Sequence, residues 1–116
     1  MNLLSLEYFV AVVDAGSLSR AAAALGLSQP ALSRQMALLE QDTGHRLLVR
    51  HGRGVEPTET GQALLVHARQ LLEGVARAQA DMRERHQSPR GRVTVGLPPR
   101  VAWVLAADLV EGFKAR

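Results

Sequence analysis

The chain has 116 residues, enough for one modest domain with an appended element and too few for two complete domains. It contains no cysteine, which excludes disulfides and thiolate metal sites and makes a cytoplasmic protein the simpler expectation. The net charge is +3, yet residues 1–58 hold five arginines and five carboxylates, so affinity for an anionic partner would depend on where the charges lie.

The first predicted helix covers residues 3–15 and ends at Gly16. Apolar side chains recur along it at i, i+3, i+4 and i+7, which predicts one buried stripe. The stripe consists of Leu6, Phe9, Val10 and Val13. Its start has no basic segment, so a signal peptide is not expected, and no apolar run reaches the ~20 residues that would span a bilayer.

A second helix is predicted over residues 18–25. Ser17 is suited to accept the hydrogen bond of an N-cap, and the apolar residues repeat the helical spacing. These residues are Leu18, Ala21, Ala22 and Leu25.

A third helix follows a glycine turn. Gly26 can adopt the left-handed backbone that ends a helix, and Ser28 offers the next N-cap. Pro30 falls in the first turn, where its missing N–H has no intrahelical partner. The third helix is therefore predicted to begin at Gln29 and to end at Gly44.

The third helix has two faces of different chemistry. Its apolar face comprises Leu32, Met36 and Leu39, and its polar face comprises Gln29, Pro30, Ser33 and Arg34. Two short helices joined by a glycine turn, with polar residues at the start of the second, form the geometry that places a helix in the DNA major groove.

The polar face fits the edges of DNA bases. Gln29 can pair with adenine and Arg34 with guanine, while Ser33 can bond a base or a phosphate and Pro30 can contact a thymine methyl group. The alternative is a face that only contacts solvent, but the combination of capped helix, glycine turn and capped helix favours DNA.

Four other positions are candidate phosphate sites. The N-terminal amides of the second and third helices, near Ser17 and Ser28, are suited to bind phosphate. Arg20 and Thr58 are weaker candidates, since Arg20 could equally pair with a nearby carboxylate.

Residues 46–50 and 55–57 are predicted to form two short strands of a hairpin. Arg53 lies between two glycines at its tip, where little bulk would hinder insertion into a narrow minor groove, and Arg50 flanks the tip. The two arginines could equally be an exposed pair on a loop, and the hairpin alone does not decide between these interpretations.

The longest helix is predicted to begin at Thr58, with Glu59 in its first turn, and to run to about residue 86. Apolar residues follow spacings of four and three along it, which is typical of a heptad seam. The seam comprises Leu64, Ala68, Leu71, Val75, Ala78 and Met82. It could pack on the first helix of its own chain, but its length favours a homodimer, whose symmetry would place two reading helices on two half-sites.

The sequence pattern contains no recognisable catalytic or metal site. An enzyme is therefore the least favoured of the functions considered, and no cofactor is expected. The histidines lack metal-ligand spacing, and no phosphate-binding loop or Ser/His/Asp grouping is present in the pattern. The four histidines are His45, His51, His67 and His86. Residues 87–91 are interpreted as a linker, residues 92–96 as a strand and residues 101–115 as a helix.

Several motifs together resemble the DNA-binding domain of LysR-type transcriptional regulators. They are Leu6 to Val12, Gly16 to Ala22, Leu27 to Gln35, Leu39-Glu40, Gly44, Leu47 to Arg50, Gly52 to Gly54 and Pro57 to Gly61. The resemblance covers residues 2–90, and the run Ser28 to Arg34 is its most specific part.

The resemblance implies a mainly α winged helix-turn-helix at residues 1–58 and a linker and dimerisation helix with its hinge at residues 59–90. It also implies that residues 91–116 are the truncated start of an effector-binding α/β domain. The partner implied is double-stranded DNA carrying an interrupted inverted repeat near a promoter, read by Gln29, Pro30, Ser33 and Arg34, with Arg53 in the minor groove.

Other functions stay open at this point. A full regulator of this kind would continue for about 200 residues, so the chain is expected to be a fragment or a truncated form, and a small-molecule effector would need the missing part. A truncated regulator that competes with full-length partners is one alternative, and a helical module that binds protein is another. Whether dimers pair into tetramers is also left open.

Overall fold

A computed structural model describes residues 1–86, and within that range the chain forms four helices and one hairpin. The elements are α1 (Leu3–Ala15), α2 (Leu18–Leu25), α3 (Gln29–Thr43), β1 (Leu48–His51), β2 (Gly54–Pro57) and α4 (Glu59–His86). The described residues divide after Arg69 into a first unit, Met1–Arg69, and the part of α4 that follows it. The linker, strand and helix predicted at residues 87–115 lie outside the described residues.

The helix ends follow the predicted capping residues. The Ser17 hydroxyl accepts a hydrogen bond from the Arg20 N–H at 3.3 Å, and the Ser28 hydroxyl accepts one from the Ala31 N–H at 3.2 Å. Between them, Gly26 has a φ of 71°, a left-handed conformation that costs glycine little and lets the chain turn sharply from α2 into α3. The predicted bounds of these helices are confirmed.

The core of the first unit lies where α1, α2 and α3 meet the base of the hairpin. Its largest fully buried side chains are Phe9, Val12, Leu32, Met36 and Leu47. The prediction for α3 is confirmed, because Leu32, Met36 and Leu39 are its buried residues. The stripe predicted for α1 was partly wrong: Val12 is buried while Val10 and Val13 are half-buried, because α1 contacts α2, α3 and β2 and the buried surface follows those contacts.

The hairpin β1–β2 is the wing, residues 48–57. Its strands are antiparallel, with Leu48 opposite Pro57 and His51 opposite Gly54. The first strand was predicted at residues 46–50 and lies two residues later at its start, because the amide groups of Leu47 and Leu48 bond to a side chain of α3. The Val55 N–H donates to the Gly16 carbonyl at 3.0 Å, which attaches β2 to the turn between α1 and α2.

Helix α4 begins at the predicted cap, where the Thr58 hydroxyl accepts from the Gly61 N–H at 2.9 Å. Leu64 packs against the core cluster, Ala68 is fully buried, and Arg69 donates to an Asp14 carboxylate oxygen at 3.3 Å. Within residues 1–86, no helix combines the length and apolar composition needed to cross a bilayer.

Candidate nucleic-acid interface

The first two turns of α3 present their polar face outward. Gln29, Pro30 and Arg34 are exposed and Ser33 is half-buried, while the three residues of the predicted apolar face are buried. Among residues 1–86, no carboxylate pairs with the Arg34 guanidinium. Gln29, Pro30 and Arg34 are therefore accessible on this face, and the Arg34 guanidinium has no ion-pair partner in the described part of the chain.

The wing is joined to this face by a hydrogen bond that sequence reasoning did not predict. Nη2 of Arg50, on β1, donates to the Ser33 hydroxyl of α3. Because Ser33 accepts this bond, its own O–H remains able to donate to an acceptor. The sequence placed both residues at the interface separately, but it held no signal that they would touch across 17 positions.

The tip of the wing carries Arg53 on a turn tightened by a neighbouring histidine. The Arg53 N–H donates to Nδ1 of His51 at 3.2 Å, and Nε2 of His51 lies 3.6 Å from a carboxylate oxygen of Glu56. The Arg53 side chain is exposed and makes no ion pair with the described residues. Its guanidinium therefore extends from a turn whose backbone is fixed by hydrogen bonding.

A cleft runs between the start of α2, the start of α3 and the wing. Among the residues that line it are Ser17, Gln29, Arg50 and Arg53. The cleft thus brings one predicted base-reading residue, Gln29, together with Arg50 and Arg53 of the wing and the N-terminus of α2. Such N-termini favour anions because their amide groups and dipole point outward.

The remaining predicted phosphate contacts differ in availability. Arg20 is exposed and forms no ion pair within residues 1–86. The hydroxyls of Ser17 and Ser28 cap their helices. The Thr58 hydroxyl donates to the Arg46 carbonyl at 2.7 Å as well as accepting from Gly61, so it already has two partners inside the protein.

A family model described as bacterial regulatory helix-turn-helix protein, lysR family, matches residues 3–62. The chain belongs to the LysR family. The family and the winged helix-turn-helix fold predicted from the sequence are both confirmed.

Curated relatives and solved structures agree with this family and fold. The nitrogen assimilation regulatory protein nac of Klebsiella aerogenes is 48% identical over 102 residues, which are 88% of this chain and 33% of that protein. The CbnR DNA-binding domain in complex with DNA is 44% identical with a TM-score of 0.67, covering 72% of this chain and 95% of that one. The BenM DNA-binding domain with benA site 1 DNA is 40% identical with a TM-score of 0.69, covering 78% and 100%.

This chain matches only part of its full-length relatives but nearly all of their separately solved DNA-binding domains. The chain spans about a third of the length of the nac proteins, and nearly the whole length of the CbnR and BenM DNA-binding domains. It therefore carries the winged helix-turn-helix of a LysR-type DNA-binding domain.

Proposed function

We propose that this chain binds a promoter site as a homodimer and regulates transcription, with each subunit reading one half of an interrupted inverted repeat. The observation that carries the proposal is the exposed polar start of α3, whose Arg34 has no carboxylate partner within residues 1–86, beside a wing that carries Arg50 and Arg53. The crystal structures of the CbnR and BenM domains with DNA support it, because they share this fold at 40% identity or more.

Base reading is assigned to the first two turns of α3. Arg34 presents two parallel donors that match O6 and N7 of guanine, and Gln29 presents a donor and an acceptor that match adenine. Pro30 would contact a thymine methyl group. Ser33, which accepts from Arg50, would act as a donor toward a base or a phosphate oxygen.

Backbone and minor-groove contacts are assigned to the surfaces on either side of α3. Arg53 would enter the minor groove, where a narrow A/T-rich groove concentrates negative potential. Arg20, Arg50 and the amide groups that follow Ser17 and Ser28 would hold phosphates and fix the register of the domain on the duplex.

Dimerisation is assigned to the part of the α4 seam that the rest of residues 1–86 leaves exposed. Leu71 is 49% exposed and Met82 is 55% exposed, and Val75 and Ala78 continue the same spacing between them. Leu64 and Ala68, the first members of the predicted seam, are half-buried and fully buried in the single chain, so the proposed interface rests on the residues after them.

Replacing Arg34 with alanine tests base reading. We expect Arg34→Ala to weaken binding to the specific site by about 1–3 kcal/mol and to weaken nonspecific binding much less, because a bidentate guanine contact is lost. Fluorescence anisotropy would measure specific binding with a duplex that carries the specific site, and nonspecific binding with a scrambled duplex. Arg77→Ala removes the same charge from an exposed arginine on α4, paired with Glu73, and serves as the control. Equal losses of Arg34→Ala on both duplexes would reject base reading by Arg34.

Replacing Arg53 with alanine tests the minor-groove contact. We expect Arg53→Ala to lower affinity for sites with A/T-rich flanks and to leave sites with G/C-rich flanks nearly unchanged, because only the narrow groove attracts the inserted guanidinium strongly. The measurement is the ratio of the two dissociation constants for the parent and the variant. A ratio that Arg53→Ala leaves unchanged would reject the minor-groove contact of Arg53.

A further inference from the structure

The carboxylate of Glu40 lies where α3 meets the base of the wing. Its Oε2 accepts hydrogen bonds from the N–H groups of Leu47, at 2.7 Å, and of Leu48, at 3.2 Å. The Glu40 side chain is 23% exposed, whereas the side chain of Arg46, whose Nε lies 3.6 Å from the same oxygen, is 78% exposed. Because a solvated ion pair contributes little, the two amides are the main partners of this carboxylate.

The register of the wing explains why the Leu48 amide needs this acceptor. The Thr58 N–H donates to the Leu47 carbonyl at 2.9 Å, and Leu48 stands opposite Pro57. Hydrogen-bonded and non-hydrogen-bonded pairs alternate along antiparallel strands, so Leu48 and Pro57 form a non-hydrogen-bonded pair and the Leu48 N–H points away from β2. An amide of a buried residue without an acceptor is costly, and Glu40 supplies the acceptor.

Glu40 is the second of two attachments between α3 and β1. The first is the hydrogen bond from Arg50 to Ser33, seven residues earlier on the helix. Seven residues of α-helix correspond to a rise of about 10 Å, so the two attachments hold β1 at separate points along α3. The Val55 N–H holds β2 to the Gly16 carbonyl on the other side, so these two bonds are what constrains the angle between β1 and α3, and two separated points constrain that angle more tightly than one.

We infer that Glu40 is a positioning residue for DNA recognition: it holds the base of the wing against α3 and thereby sets where Arg53 stands relative to the bases that Arg34 reads. This inference rests on the proposed function, because it assumes that Arg53 enters the minor groove. A wing free to pivot would have to be ordered when DNA binds, and that entropic cost would reduce the contribution of Arg53. Glu40 thus acts on flank selectivity through the wing and without contacting DNA.

The test compares variants of the whole chain at two neighbouring carboxylates of α3. Glu40→Ala removes the acceptor, and Glu40→Gln keeps a neutral carbonyl oxygen in its place. Asp42→Ala is the control, because it removes the same charge from an exposed residue that pairs with the amino terminus and not with the wing. The readouts are amide hydrogen exchange in the free protein and the ratio of affinities for A/T-flanked and G/C-flanked sites.

We expect Glu40→Ala to speed exchange of the Leu47 and Leu48 amides by roughly tenfold or more, because hydrogen bonds to a charged acceptor are lost, and to speed exchange across the wing. The ratio of affinities for A/T-flanked and G/C-flanked sites, the flank ratio, should fall in Glu40→Ala to its value in Arg53→Ala. The double variant should have the same flank ratio as Arg53→Ala alone. Glu40→Gln should retain most of the ratio, and Asp42→Ala all of it. Should Glu40→Ala fail to fold, Glu40→Gln replaces it as the test. A small fall of the A/T-to-G/C affinity ratio in Glu40→Gln would then support the inference, and a parental ratio would reject it.

Two results would overturn the inference: a parental flank ratio in a folded Glu40→Ala, or unchanged amide exchange across residues 48–57 in that variant. A parent protein without any A/T preference would instead show that the proposed Arg53 contact is wrong. Exchange across the wing then decides the role of Glu40 by itself, with faster exchange in Glu40→Ala than in Asp42→Ala supporting it and equal exchange rejecting it.

Discussion

A Leu71→Asp variant is expected to be monomeric and to bind the complete inverted repeat roughly 100- to 10,000-fold more weakly than the parent, because linked recognition of two half-sites is lost. Leu71 is 49% exposed on the part of the α4 seam that the other described residues do not cover. A carboxylate at the centre of an apolar interface would have to lose its hydration without gaining a partner, which strongly disfavours association. Light scattering measures the oligomeric state, and anisotropy with the full repeat measures the affinity.

The matched control for this variant is Ala76→Asp. Ala76 is exposed and lies five residues along α4, well round the helix from the seam, so the same carboxylate should leave the dimer intact there. Binding to a single half-site should be equal for Leu71→Asp and the parent. A Leu71→Asp dimer would move the interface away from the seam, and a monomer with parental affinity for the full repeat would reject the two-half-site proposal.

A Gly61→Ala variant is expected to lose about 3 kcal/mol of unfolding free energy, at the upper end of what overpacking costs. A Cβ at Gly61 would lie 2.1 Å from the Leu47 carbonyl oxygen, and that carbonyl cannot easily move because it accepts the Thr58 N–H at 2.9 Å. The start of α4 would have to shift away from the base of the wing. Urea denaturation followed by circular dichroism measures the loss.

A Gly74→Ala variant, on the same helix, is expected to be more stable than the parent. A Cβ at Gly74 would meet only the end of the Arg77 side chain, at 3.7 Å, so alanine should stabilise the helix by about 0.5–1 kcal/mol through its higher helix propensity. Opposite signs at the two glycines would confirm that close packing, and not helix propensity, requires Gly61. A Gly61→Ala variant as stable as the parent would mean that α4 does not approach Leu47 this closely.

The helices could be predicted because their ends depend on nearby residues. Ser17 and Ser28 each bond an amide three positions ahead, and Gly26 ends α2 through its own backbone angle. Each of these interactions joins residues within one helical turn, so the sequence is enough to predict it. The first strand was less predictable, because its start is set by Glu40, which lies eight positions before Leu48 on another element.

The candidate interface was predicted as a set of separate residues. Pro30 and Arg34 are exposed because the 3.6-residue period turns them away from the apolar face of α3, and the sequence contains that period. Gln29 lies three residues before Leu32, on the same side of the helix, and is exposed at the first position of α3. The bond between Arg50 and Ser33 depends on how the wing crosses α3, which no local spacing records.

The sequence by itself determined the helices, their caps, the polar start of α3 and the family, since each depends on residues within a few positions or on a contiguous motif. Only the tertiary structure decided that Val12 enters the core, that Glu40 holds the base of the wing, and that Ala68 is buried while Leu71 stays exposed. The physical reason is that burial and long-range hydrogen bonds depend on the angles and distances at which elements pack. Those angles follow from the whole set of side chains at each contact and not from the period of any one helix.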